Sequence, residues 1–275
     1  PLPDSRTPPA ATSRHAWLPA ARARYRSVEQ EPLPRNVPAL LADAADAAPG
    51  TVALHFIESG EELSYAQLRA DVARLANGLV GAGVRHGSRV GVMLPNIREM
   101  PTTWLALAAI GAVMVPINTR YTPHEVGYAL TDSGASHLVL HANHAATLGT
   151  LPSCRLIVVG ANAPQGALRW QDLVDASPAD FTPAAEPDID DLLNIQYTSG
   201  TTGLPKGCLQ AHRYWLTCAK AYSASDGLRY RRILAANPFF YMTPQWLMLM
   251  AFFQRATLYV GPYLSFTQYA DWVRR

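Results

Sequence analysis

Residues 197–207 read Y-T-S-G-T-T-G-L-P-K-G, bringing four Ser/Thr hydroxyls, three glycines and one lysine together in eleven positions. Glycines let a backbone take positive φ and come close to a ligand. Successive N–H groups in such a turn form an anion-binding concavity, and Ser/Thr hydroxyls add donors around it. Lys206 supplies a mobile positive charge that can meet a departing phosphate. The chemistry this implies is the handling of a polyphosphate. Composition alone more often marks a flexible surface loop; the strand pattern before it and the helix pattern after it favour the phosphate reading. An ordinary P-loop NTPase is excluded, because G-x-x-x-x-G-K-[ST] requires a glycine and a hydroxyl around the lysine, and Pro205 and Gly207 stand there instead.

The elements that must position this loop follow from periodicity. Residues 192–197 (LLNIQY) form the strand ahead of it, and a helix is expected from about Gln210. Upstream, Ser64 and Gln67 make a capping box before Leu68, Val72, Leu75 and Leu79 at helical spacing, with Gly81 and Gly83 as the stop. Residues 89–94 and 113–117 read as buried strands around an apolar helix through Trp104 and Leu107. Thr122, Pro123 and Glu125 make a second capping box, whose helix ends near Gly134. Strands follow at 136–140, 156–159 and 233–236. Strands separated by helices imply crossover connections, so the expected fold is α/β, with mostly parallel sheets covered by helices on both faces. The loop then sits at the C-terminal edge of its sheet, where open α/β folds hold ligands.

Three units are expected: an extended, proline-broken arm over 1–38, a first α/β subdomain over 39–187, and the start of a second over 188–275 that carries the loop. Hydrophobic residues are 49% and charged residues 16%, which excludes a disordered chain. A formal charge of +2 excludes the concentrated basic footprint of a nucleic-acid binder. Cys154, Cys208 and Cys218 show no CxxC spacing, which points to a reducing cytoplasm. The longest apolar run, 104–117, is too short for a membrane span. Pro1 is not a start methionine, so the true N-terminus is not expected in view.

The string T-S-G-T-T-G-L-P-K-G resembles, unbroken over ten residues, the phosphate loop of the adenylate-forming superfamily of acyl-CoA synthetases, peptide-synthetase adenylation domains and luciferases. Residues 63–68 (LSYAQL) are similar to its early L-T/S-Y-x-E-L segment, with Gln67 where Glu is commoner, and 108–118 (AAIGAVMVPIN) to its A-G-A-x-x-V-P-I/L-N segment. The resemblance covers roughly residues 37–275. It implies that Thr198, Ser199, Gly200, Thr201, Thr202, Gly203 and Lys206 wrap the β- and γ-phosphates of MgATP, with Lys206, Thr201 and Thr202 acting in catalysis. A small carboxylic acid, fatty or aromatic, would attack the α-phosphate, give an acyl-adenylate and release pyrophosphate, and CoA would then take the acyl group. The enzyme's part is positioning and charge stabilisation.

In the family a P-L-F/Y-H segment lines the acyl pocket. Here 238–241 read P-F-F-Y, so Tyr241 stands where His is usual, and Tyr241 and Met242 become substrate-side candidates beside the alternative of a core aromatic cluster. His212, just after the loop, is either a substrate-side contact or a helix-surface residue. Cys208 reads as a small filler. His137 and His141 lie about 13 Å apart on a strand and cannot share an ion, so no metal ligands are assigned. The family's later Y-G-x-T-E and T-G-D segments, its hinge and its late lysine are not found; the C-terminal domain is absent, and the chain alone is expected to bind ATP weakly without turnover. Delivery to a carrier protein, or a non-catalytic nucleotide-binding module, remain the alternatives, and a homodimer is left open.

Overall fold

A computed structural model describes residues 18–145, 148, 153–198, 204–263 and 265–274. The strands are β1 (Val52–Phe56), β2 (Glu62–Ser64), β3 (Arg89–Met93), β4 (Val113–Pro116), β5 (His137–His141), β6 (Arg155–Val159), β7 (Leu168–Arg169), β8 (Leu192–Thr198), β9 (Lys206–Ala211), β10 (Arg232–Ala235) and β11 (Thr257–Val260). The helices are α1 (Leu18–Gln30), α2 (Val37–Ala47), α3 (Tyr65–Gly81), α4 (Glu99–Ile110), α5 (Pro123–Ser133), α6 (Ala142–Ala145), α7 (Trp170–Asp175), α8 (His212–Ala224), α9 (Met242–Gln254) and α10 (Phe266–Arg274).

Two sheets result. One has the order β7-β6-β5-β3-β4-β8-β9 and is parallel except for its last pair; the other has the order β10-β11-β1-β2, with only β1/β2 antiparallel. Strand alternation divides the core. Val90 and Val92 on β3 join Leu54 and Leu258 of the smaller sheet in a core that also holds α2, α3, α4, α8 and α9. Met93, Leu138 and Leu140 face the other way onto Val126 and Leu130 of α5. Helices therefore cover both faces of the seven-stranded sheet, as expected. Both capping boxes form: Ser64 with Gln67 opens α3 and Thr122 with Glu125 opens α5.

Three expectations are corrected. The helix expected from about Gln210 starts at His212, but residues 206–211 ahead of it, read as loop, form β9, antiparallel to β8. The lead-in is not wholly extended, since α1 occupies 18–30. Its Ala- and Arg-rich stretch favours helix, and Pro19 falls in the first turn, where proline is tolerated. The sheets also cut across the linear division at 187/188, because the larger sheet pairs β4 with β8 and the smaller pairs β1 with β11.

Candidate active site

The hairpin of β8 and β9 is where the candidate loop is held. β8 enters as an inner strand of the larger sheet, and Thr198 at its end lies directly opposite Lys206 at the start of β9. Both are exposed. Ser199, Gly200, Thr201, Thr202 and Gly203, which join them, lie outside the described residues. α5 braces the base of the hairpin: the Tyr128 hydroxyl donates to the Pro205 carbonyl at 3.0 Å, and the Tyr197 hydroxyl donates to Asp132 Oδ2 at 2.6 Å. Burial, reinforced by that carboxylate, holds the Tyr197 hydroxyl well above the usual phenol range. Gly207 explains the last glycine of the motif. A Cβ there would stand 2.8 Å from Ile195 Cγ2 and 3.4 Å from the Tyr197 ring.

Because opposite residues of an antiparallel pair share a face, one side of the hairpin carries Thr198 and Lys206 at its mouth, then Gln196 and Cys208, then Asn194 and Gln210. That side meets the segment leading into α9. Trp104 Nε1 donates to Asn194 Oδ1, Asn194 Nδ2 to Gln245 Oε1, and Gln245 Nε2 to the Phe239 carbonyl, each at 2.8 Å and each buried. Gln196 Nε2 donates to the Phe240 carbonyl at 2.8 Å.

Asn96, just past β3, fixes the same segment from the other side. It accepts from the Phe239 N–H and donates to the carbonyls of Asn237 and Gly261. One buried amide thus ties the C-terminal ends of β3, β10 and β11, and so the edges of both sheets. Between them opens a cleft of about 290 Å³ lined by Asn96, Asn118, Arg120, Phe240, Tyr241 and Tyr263, among others. Tyr241 caps the start of α9 and is half exposed at this rim, whereas Phe239 and Phe240 are buried. Phe239 belongs to the main core, while Phe240, though buried, also lines the cleft. Met242 turns toward β9, and its sulfur accepts the Gln210 amide at 3.5 Å.

His212 is elsewhere. β9 runs away from the loop, so six residues at about 3.3 Å each put His212 roughly 20 Å from Lys206. It is fully buried, neither a loop contact nor a surface residue: its Nδ1 accepts the Val37 N–H at 3.2 Å, and burial pushes the ring down to about 4. Cys208 is exposed rather than a filler. Among the described residues no three His, Cys, Asp or Glu side chains could hold a metal, and no helix is long and apolar enough to cross a membrane.

Asn96, Tyr128, Gln196 and Gln210 were not singled out from the sequence. The alternation in L-L-N-I-Q-Y was the available signal, since a strand inside a sheet that shows polar residues every second position must give them partners.

Two mostly parallel sheets covered by helices, with the β8–β9 hairpin at the C-terminal edge of the larger one, define an α/β fold of the kind that holds ligands at that edge. The model of the AMP-binding enzyme family matches residues 41–274, and the chain belongs to that family. It is 40% identical over 183 residues to a feruloyl-CoA synthase of Amycolatopsis sp., covering 66% of this chain and 35% of that protein. It is 31% identical over 241 residues to the long-chain-fatty-acid–CoA ligase FadD13 of Mycobacterium tuberculosis, covering 85% and 46%. Among solved structures, the N-terminal domain of FACL13 from Mycobacterium tuberculosis superposes with a TM-score of 0.77 at 28% identity, covering 86% of this chain and 60% of that one. The anthranilate CoA ligase AuaEII in complex with anthranoyl-AMP gives 0.78 at 26% identity, covering 90% and 48%. The chain thus spans half or less of the length of the curated relatives it matches.

Proposed function

We propose that the chain supplies the ATP- and acid-binding surfaces of an acid–CoA ligase: a carboxylate attacks the α-phosphate of ATP, pyrophosphate leaves, and the acyl-adenylate passes its acyl group to the thiol of CoA. Adenylation is chemically necessary, because a carboxylate alone offers only oxide as leaving group. The observation that carries the reading is the hairpin mouth, where Thr198 faces Lys206 across the ends of two strands with the glycine- and hydroxyl-rich segment between them. Ser199, Thr201 and Thr202 would add hydroxyl donors to the β- and γ-phosphates, Gly200 and Gly203 would let the backbone approach, and Lys206 would meet the charge on departing pyrophosphate. The described residues offer no protein cage for magnesium, so none of these roles is routed through the ion; magnesium in such reactions commonly arrives on the nucleotide's own phosphates.

Tyr241 and Met242 stand on the acid's side, one at the cleft rim and one toward β9. His212 is buried at the end of β9 remote from the hairpin mouth, where it accepts from the Val37 N–H. Relatives that act on feruloyl, coumaroyl and long-chain acyl groups support CoA over a carrier protein as acceptor. Three cysteines, none in a disulfide, fit a reducing cytoplasm.

The test is exchange of labelled pyrophosphate into ATP by the full-length protein, with and without a panel of aliphatic and aromatic acids. Acid-dependent exchange is expected; its absence with every acid would remove the ligase reading.

A further inference from the structure

Residues 236–241 join β10 to α9 and carry Tyr241 to the cleft rim. They belong to no strand or helix, so their main-chain groups must find partners elsewhere. Three side-chain carboxamides on three different elements supply them. Asn96, past β3, accepts from the Phe239 N–H at 2.8 Å and donates to the Asn237 carbonyl at 3.0 Å. Gln245 of α9 donates to the Phe239 carbonyl and Gln196 of β8 to the Phe240 carbonyl, both at 2.8 Å. The Tyr241 N–H then closes a turn on the Pro238 carbonyl at 3.0 Å, and the Phe240 ring lies 4.6 Å from the Tyr241 ring, centre to centre. Of the three amides, Asn96 alone also reaches the end of β11, donating to the Gly261 carbonyl at 2.7 Å. It is 8% exposed and spends both Nδ2 protons on carbonyls, so it has no donor left for a ligand.

We infer that Asn96 is a positioning residue: it acts on the acid through Tyr241, by fixing the turn from which that ring meets the cleft. The inference rests on the proposed function for the point that Tyr241 stands on the acid's side. A carboxamide is the group this place needs. It offers one acceptor and two donors to three main-chain groups that belong to the ends of β10 and β11, and it does so from the end of β3. An ionised carboxylate of the same shape keeps the acceptor but loses both donors and meets two carbonyl oxygens instead. The turn then loses its hold on Asn237 and Gly261, and a misplacement of about 1 Å at a substrate can cost about 10²-fold in rate. The hairpin mouth is braced separately, by Tyr128 and Tyr197 with α5, and neither bonds to Asn96. Loosening the Asn96 tie therefore falls on the acid and spares the nucleotide.

The test compares Asn96→Asp with the parent in the full-length protein by two readouts. The first is the pair of KM values from acid-dependent pyrophosphate exchange, with cinnamate and decanoate as probe acids. KM for the acid should rise roughly tenfold or more while KM for ATP stays within about twofold, a split that a general loss of structure would not give. The second is the fluorine NMR resonance of Tyr241 in protein labelled with 3-fluorotyrosine, assigned by its disappearance in Tyr241→Phe. It should shift or broaden in Asn96→Asp. Should that variant fail to fold, Asn96→Ser, whose hydroxyl accepts once and donates once, should give the same split at smaller size. An unchanged KM for the acid, an equal rise in both KM values, or an unmoved Tyr241 resonance would each overturn the inference while leaving the ligase reading in place. If the parent exchanges with neither acid, the fluorine readout alone decides: a moved resonance keeps Asn96 as the group that sets Tyr241, and an unmoved one removes it.

Discussion

The two ends of β9 separate function from support. At one end Lys206 is exposed opposite Thr198, and Tyr128 and Tyr197 of the neighbouring elements hold the hairpin without covering its mouth. At the other, His212 is sealed between α2 and α8: Asn36 caps α2 and bonds the Pro187 carbonyl, and the His212 N–H donates to the Asp191 carbonyl. Six residues part a polar opening from a closed joint. Proximity in sequence to a motif is no guide to proximity in space once a strand intervenes.

Variants at the open end should have the largest effect. Lys206→Ala, or Thr201→Ala with Thr202→Ala, should lower acid-dependent pyrophosphate exchange in the full-length protein by about 10²–10³-fold, the scale of losing one charge-stabilising donor. Melting temperature should hardly change, because the two described residues flanking the loop, Thr198 and Lys206, are exposed. A parallel loss of stability would mean the loop is structural.

The closed end should answer to pH instead. The folded His212 ring takes a proton only near pH 4, while the unfolded ring takes one near 6.5. Unfolding therefore binds a proton between these values, and stability present above 6.5 is lost as pH falls toward 4. The full effect is about 3 kcal/mol at ~1.4 kcal/mol per pH unit. Denaturant midpoints from pH 7 to 4 should show this slope, and His212→Asn, whose Oδ1 can still accept from Val37, should flatten it.

Two smaller effects sharpen the contrast. Gly207→Ala should cost about 1–3 kcal/mol of stability, since the added methyl meets Ile195 and Tyr197. Tyr128→Phe should cost about 1 kcal/mol by losing its bond to the Pro205 carbonyl. It should also loosen the hairpin mouth, raising KM for ATP more than it changes kcat.

Much of the scaffold was legible in the sequence because its signals are local. The capping boxes at Ser64 and Thr122, the left-handed stop at Gly134 and the β3–β4–β5 strands all follow from short patterns. β9 was not legible. K-G-C-L-Q-A lacks the run of β-branched residues that marks a strand, and it becomes one only by pairing with β8. Without β9, His212 is mistaken for a neighbour of the loop. The tie made by Asn96 was hidden for a related reason: its partners at Asn237, Phe239 and Gly261 are more than 140 residues away in the chain.

Hydrogen exchange of backbone amides with and without saturating MgATP compares both ends of β9 in a single experiment. A polyphosphate gripped at the hairpin mouth predicts slowed exchange through residues 198–207 and no change from Ala211 to Trp215. Protection confined to the His212 end, or none at the loop, would contradict it.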